Sequence, residues 1–488
     1  MKMKYCKKML ALLLALALSL SVCGAMAEGT AATNVVSIKG FTKVCTAYHQ
    51  LVAIAVEYDQ NVQAPAADAY TVTDYATKYF REAFNNRPFS EAPVTCVYTN
   101  DAPEQREDKT SVEGKYVIIE LAVIQGTVEE DGIFKPAYNA GVCTWRLTTE
   151  AGTDRADWRR KDFSDLVITQ NVDVKNAAGE VVSKAGTLPT LQYDELTNYD
   201  LDDFVSDFYT LSSGNQLYYS YYLPENYDSS KAYPLVVSIT GGGGTYREQA
   251  NGDPRGGHIS RDAGAVAWLH APEDVLVLSP QQCGDPFKST GDDIMEVVNY
   301  FIANYAVDTN RVYAIGSSAG GLTWSSILSV PEYAAEFAAY APCNTNWTGF
   351  TTMFKSDYDV KCTEDVWGFS SYEDFMNPDL WLDDSEWVES AKALLAPIME
   401  NRVNVYVWHA YNDETAPVGR GISTYYALHR FYAEQGLSEE EIDSLVKIYL
   451  IPTQEDHDLG ILSGHMASKV AVAHPEFIEW MLAQTKGE

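Results

Sequence analysis

The stretch Gly316-Ser317-Ser318-Ala319-Gly320 sets a serine between two glycines, each two places away. This is the spacing of a serine forced onto a sharp strand-to-helix turn, where only small neighbours let the chain pass. A hydroxyl held there stands clear of the sheet and can attack a carbonyl carbon. The amide of the next residue, Ala319, opens a helix and points at the oxygen that becomes negative. Serine is a weak nucleophile, so this chemistry requires a base to take its proton and an acid to orient the base. It also requires a second oxyanion donor. The run Thr240-Gly241-Gly242-Gly243-Gly244 offers one, with Gly242 the expected amide and its glycine neighbours as alternatives. The same run is not a phosphate loop, because Thr245-Tyr246-Arg247 lacks the closing Gly-Lys-Ser/Thr.

The elements around these residues set where the partners must lie. From residue 204 onward, apolar runs alternate with helix-length segments: Phe204 to Leu211, Gln216 to Leu223, Pro234 to Thr240, Val275 to Ser279, Val312 to Ile315, Phe337 to Ala341, Val403 to Trp408 and Lys447 to Ile451. Continuous apolar strands separated by helices predict a mostly parallel eight-stranded sheet covered by helices on both faces, an α/β-hydrolase order. In that order the acid follows the second strand after the serine, and the histidine follows the last strand. His409-Ala410-Tyr411-Asn412-Asp413-Glu414 follows Val403 to Trp408, so Asp413 is the expected acid, with Glu414 as its rival. His457, His465 and His474 compete as base. His474 precedes Pro475 at the start of the last helix and reads as a surface or capping residue. His457 lies between Asp456 and Asp458 and His465 beside Gly464, and local chemistry does not separate them.

The N-terminal half has another grammar. Val52 to Tyr58, Val94 to Tyr98, Tyr116 to Leu121, Val142 to Leu147 and Leu166 to Gln170 are short, β-branched and aromatic, separated by turn residues. They predict an all-β sandwich without a catalytic constellation, in which His49 is structural. Gln192 to Asp203 is a polar, acidic bridge, read as a linker or the first edge of the second domain. The expected domains are a leader over 1–27, a sandwich over 28–191 and a catalytic domain over 192–488, with an aromatic insertion at about 347–400. The leader combines Lys2, Lys4, Lys7 and Lys8, an apolar Met9 to Val22 run and the Ala25-Met26-Ala27 triplet, a secretory signal cut before Glu28. We therefore expect an exported protein, secreted or periplasmic, with no membrane insertion. A net charge of −33 disfavours nucleic acid and anionic membrane surfaces as partners, because both would be repelled, and neither is expected. Six cysteines follow the leader without metal-site spacing, so neither a metal nor any other cofactor is expected.

Two resemblances add to this reading. The run Val307 to Gly321, with Leu278-Ser279-Pro280-Gln281 before it, resembles secreted serine esterases related to polyhydroxybutyrate depolymerases, feruloyl esterases and acetyl xylan esterases. The likeness spans about Phe204 to Leu482. It implies that the base is the histidine after a glycine, ahead of Pro-Glu and Trp. Gly464-His465, Pro475-Glu476 and Trp480 keep that pattern, which selects His465 over His457. The family usually has histidine before the oxyanion glycine, where this chain has Thr240. Val94 to Asp101 and Gly114 to Leu121 resemble the immunoglobulin-like N-terminal domain of some bacterial esterases. That resemblance implies a role in assembly, as a homo-oligomer, and in shaping the active-site entrance.

The expectation is a serine esterase using Ser318, His465 and Asp413, with Ala319 and Gly242 at the oxyanion. It would act on a small-molecule or polysaccharide ester, plausibly acetyl or feruloyl groups on plant polysaccharides. The insertion carries Trp347, Phe350, Phe354, Tyr358, Trp367, Phe369, Tyr372, Phe375, Trp381 and Trp387, and is expected to form a lid or pocket wall. Gln281, Trp324 and Trp367 are the candidate substrate contacts. A serine peptidase using the same triad, or a noncatalytic carbohydrate-binding protein on a hydrolase scaffold, are the alternatives.

Overall fold

Residues 205–451 pair their apolar runs into one sheet. In a computed structural model, the described residues are 30–45, 48–74, 90–123, the strand segments 127–130, 133–136, 142–143, 145–149 and 156–160, then 163, 166–245, 258–259, 263–284, 288–345, 347, 387–411, 413, 415–416, 418–452, 464–466 and 474–487. The leader 1–27, Trp367, Glu414, His457 and most of the insertion lie outside them.

The sheet strands are β1 (Val205–Thr210), β2 (Gln216–Tyr222), β3 (Tyr233–Ile239), β4 (Leu276–Pro280), β5 (Val307–Ser317), β6 (Ala339–Cys343), β7 (Asn404–Ala410) and β8 (Val446–Ile451). They lie in the order β1-β2-β4-β3-β5-β6-β7-β8. β2 is antiparallel to both its neighbours, and every other contact in the sheet is parallel. β3, β4, β6 and β7 are buried at every position. The reason is the pleat: alternate side chains of one strand enter opposite cores. Leu235, Val237 and Ile239 face one core while Val236 faces the other, and Val312 and Ala314 are separated from Tyr313 and Ile315 in the same way.

Helices cover both faces. α1 (Gly291–Asn304) starts at Thr290, whose hydroxyl accepts from the Asp293 amide while the Asp293 carboxylate accepts from the Thr290 amide. It buries Ile294, Val297, Val298 and Phe301, the stripe that its helical period dictates. α2 (Ala319–Leu328) follows β5 without a break, and α3 (Trp387–Glu400), α4 (Gly419–Glu434) and α5 (Glu439–Leu445) pack later in the chain. α6 (Pro475–Leu482) has Pro475 in its first turn and puts Phe477 and Met481 into the second core. His474 is its N-cap residue, but its side chain makes no capping bond; the ring packs against Trp408, with centroids 5.4 Å apart.

The N-terminal strands form two sheets. Val35–Cys45, Tyr48–Val62, Gly114–Leu121 and Val94–Asn100 pair antiparallel in one, and Tyr70–Asp74 and Leu166–Gln170 pair in the other. Ile38, Ile54, Val56, Val72, Val117, Ile119 and Ile168 close the core between them. His49 is buried there. Part of the acidic bridge, read as a linker or the first edge of the second domain, joins the N-terminal strands. Its residues Leu196–Asn198 pair in parallel with the Val35–Cys45 strand and so extend the first sheet. No disulfide joins the described cysteines Cys45, Cys96, Cys283 and Cys343. Among the described residues, no helix is long and apolar enough to cross a membrane.

Candidate active site

β5 ends in the turn that the glycine spacing predicts. Ser318 has φ 51° and ψ −119°, a left-handed backbone that a residue with a side chain adopts only under constraint. The glycines supply that constraint by allowing contact. A Cβ at Gly316 would meet the backbone of Gly321, one at Gly320 would fall on the Ile239 carbonyl of β3, and one at Gly321 would strike the Thr345 side chain. β5, β3 and the start of α2 thus touch backbone to backbone. Gly320→Ala is expected to lower stability by about 1–3 kcal/mol, because the obstacle is a β-strand carbonyl rather than a flexible side chain. A chemical-denaturation midpoint equal to that of the wild type would contradict this.

Three chain segments then meet at Ser318. His465, in the short helical turn Gly464–Met466, places Nε2 2.8 Å from the Ser318 hydroxyl. Its Nδ1 lies 2.9 Å from each carboxylate oxygen of Asp413. A carboxylate accepts only, so Nδ1 carries the proton and Nε2 turns a lone pair toward the serine. Asp413 is buried just beyond β7, and its Oδ1 also accepts the amides of Thr415 and Ala416 at 2.8 and 2.7 Å. Behind it, the buried His409 donates from Nε2 to the Ala416 carbonyl at 2.7 Å and lies 3.4 Å from Oδ2 of Asp413. Burial alone would push the Asp413 carboxyl up. The hydrogen bonds and charges of His409 and His465 outweigh it and hold the group well below the usual carboxylate range.

Beside Ser318, whose Cβ a Cβ on Gly241 would approach to 3.3 Å, residues Gly242–Gly244 form one turn of 3₁₀ helix after β3. A Cβ on Gly242 would touch the Ala319 side chain at 3.7 Å, so the two amide-bearing residues are neighbours. Each is the first residue of its helix, a position whose N–H has no partner within that helix. Thr240 fills the place where the resembling esterases have histidine. It packs under the turn, where a Cβ on Gly244 would meet its side chain.

Two candidate substrate contacts do not line this site. Trp324 is fully buried against Phe337, and its Nε1 donates to the Ile315 carbonyl at 2.9 Å. The helical turn carries it away from Ser318 and down onto the sheet. Gln281 is also buried, its amide donating to the Gly244 carbonyl at 2.9 Å, so it braces the glycine turn from behind. Gln282 points the other way, with Nε2 2.6 Å from the Thr323 hydroxyl on the first turns of α2. Of the insertion's aromatics, Trp347 belongs to the core, stacked edge-on to Tyr340.

Residues missed in the sequence are His409 and the segment Cys343-Asn344-Thr345. The latter carried one signal, a polar run directly after a fully apolar strand.

Comparisons with known proteins agree with the fold. Residues 37–183 match the esterase Ig-like N-terminal domain, and residues 285–484 match the prolyl oligopeptidase family. No curated protein matches the chain. A solved thermostable esterase superposes with a TM-score of 0.57 at 18% identity, covering 92% of this chain and 100% of that one. Looser likenesses are the feruloyl esterase module of Clostridium thermocellum (TM-score 0.33, 16% identity, 56% of this chain and 87% of that one) and a prolyl endopeptidase (0.37, 12%, 93% and 53%). The chain is thus an α/β-hydrolase behind an esterase-type Ig-like domain, and by that fold and those matches a serine hydrolase.

Proposed function

We propose that the protein is an exported serine esterase, with Ser318, His465 and Asp413 as its triad. The observation that carries this is the continuous chain of hydrogen bonds from the Ser318 hydroxyl through His465 to Asp413. His465 takes the hydroxyl proton at Nε2 as Oγ bonds to the ester carbonyl carbon. The carbonyl electron pair moves to its oxygen, where the amides of Gly242 and Ala319 receive it. Collapse expels the alcohol oxygen, which takes the proton from Nε2 and leaves an acyl-serine. Water, deprotonated by His465, then attacks the acyl carbon, releasing the acid and the free hydroxyl. Throughout, Asp413 keeps the Nδ1–H tautomer and balances the imidazolium charge.

The esterase-type N-terminal domain supports an ester over an amide substrate. The leader sequence supports export, and the aromatic insertion supports an acyl or alcohol group borne on a sugar or phenolic ring. A peptidase is the second reading, favoured by the prolyl oligopeptidase match over the catalytic region. Parallel assays decide between them. We expect hydrolysis of p-nitrophenyl acetate and butyrate, of methyl ferulate or of acetylated xylan, with prolyl p-nitroanilide turned over at least 100-fold more slowly, on the order of what one well-placed binding contact achieves. Faster anilide than ester turnover would overturn the esterase reading and support the peptidase.

A further inference from the structure

The segment Cys343-Asn344-Thr345, at the end of β6, is bonded to the backbone behind all three proposed triad residues. The Cys343 carbonyl accepts the Ser318 amide at 3.0 Å, and the Thr345 hydroxyl donates to the Ser318 carbonyl at 2.8 Å. Asn344 reaches the other two loops. Its Nδ2 donates to the carbonyl of Gly464, the residue before His465, at 2.6 Å. Its Oδ1 accepts the amide of Ala410, the last residue of β7 before the Asp413 turn, at 3.0 Å. Its own amide donates to the Trp408 carbonyl at 2.9 Å. The two bonded groups, a carbonyl and an N–H, fix which end of the carboxamide is which.

Asn344 is fully buried and has φ 47°. Glycine would make that left-handed turn with less strain, so the turn alone does not call for asparagine. What the side chain adds is a bridge from the residue before His465 to the end of the strand that leads to Asp413. Without it, the buried Gly464 carbonyl loses this donor and the buried Ala410 amide this acceptor, and the loops gain by shifting until those bonds are replaced. A shift of that kind moves His465 relative to Asp413, and catalysis is sensitive to displacements of about 1 Å.

We propose that Asn344 is a positioning residue that locks the histidine loop to the acid loop and so sets the His465–Asp413 geometry. The proposal rests on the triad reading above. Asn344 touches no reacting atom and acts only through the two loops it joins.

Two variants test it. Asn344→Gly keeps the left-handed turn and removes both side-chain bonds. Asn344→Asp keeps the size and the acceptor for Ala410 but sets an oxygen against the Gly464 carbonyl. Both are expected to lower kcat for an acyl ester by about 10- to 100-fold with KM changed less than about twofold, the signature of a misplaced base rather than lost binding. The low-field proton resonance of the His465–Asp413 hydrogen bond should broaden or disappear. In an Asp413→Asn background, Asn344→Gly should cost little more, because the geometry it protects is already spoiled. Wild-type kcat with the resonance intact, or the same kcat loss in both backgrounds, would overturn the proposal. If Asn344→Gly does not fold, the isosteric Asn344→Asp carries the same readouts. Ser318→Ala separates the two levels. An active Ser318→Ala protein defeats the triad reading itself, whereas an inactive one beside wild-type-like Asn344 variants defeats only this inference.

Discussion

Ser318→Ala is expected to lower kcat for a p-nitrophenyl acyl ester by about 10⁴- to 10⁶-fold, while the protein folds as the wild type does. The size follows from the triad acting as one unit. Removing Oγ leaves His465 and Asp413 with no nucleophile to activate, and only the oxyanion amides and substrate binding remain to help water. Folding is spared because the hydroxyl is needed for no backbone contact. The strained turn is held by the Ser318 amide on the Cys343 carbonyl and by the Ser318 carbonyl, which accepts from both the Thr345 hydroxyl and the Leu322 amide. Alanine keeps all three bonds. A fluorophosphonate should label the wild type and leave Ser318→Ala unlabelled. Labelling of that variant, or ester turnover within tenfold of wild type, would place the nucleophile elsewhere.

Asp413→Asn carries the second-largest expected loss, about 10³- to 10⁴-fold in kcat. The change is nearly isosteric, yet the local bonds dictate how asparagine must sit. The amides of Thr415 and Ala416 both point at Oδ1 and demand an acceptor there. The new NH₂ group therefore takes the place of Oδ2, facing Nε2 of His409 and Nδ1 of His465. The NH₂ group then opposes both donors, and the only acceptor left for Nδ1–H is Oδ1, already bonded to two amides. The Nδ1–H tautomer is therefore disfavoured, and Nε2, the atom that must accept the serine proton, takes the proton instead. Stability provides an independent check. A carboxyl whose native pKa is depressed stabilises the fold fully above its unfolded value near 4, and that contribution is lost as pH falls toward the native value. Wild type should thus be more stable than Asp413→Asn at neutral pH, with the gap narrowing below about pH 4. Equal stability at neutral pH, or wild-type kcat, would remove Asp413 from the role assigned to it.

Much of this molecule was legible in the sequence. Seven of the eight sheet strands were found within about two residues and the serine strand as the inner part of a longer one; the four buried at every position have no polar alternation to blur them. The glycine spacing announced the Ser318 turn, since close backbone approach leaves no room for a Cβ at Gly316, Gly320 or Gly321. Asp413, proposed from its place after β7, lies 2.9 Å from Nδ1 of His465. Contacts set by side-chain direction were less legible. Trp324 is six residues from Ser318 and Gln281 directly follows a sheet strand, but one is carried round a helix onto the sheet and the other turns inward to Gly244. The bridge at residues 192–203 reads as a polar linker or the first edge of the second domain, and three of its residues extend the first N-terminal sheet through main-chain bonds that any side chains allow.

What the sequence determined by itself was the set of reactive groups and their order along a parallel sheet, because those depend on residue type and on period. Burial, close approach and turn chemistry all leave marks on the local pattern. Which histidine reaches the serine was not determined in that way. Gly464-His465 and Asp456-His457-Asp458 are locally equivalent, and only a resemblance chose between them. The structure places Nε2 of His465 2.8 Å from Ser318 Oγ, while His457 lies outside the described residues. The structure also shows Asn344, just past the end of β6, bonded to Gly464 and to Ala410. Loops distant in sequence meet only when the whole sheet has formed, and no local pattern records where they will meet.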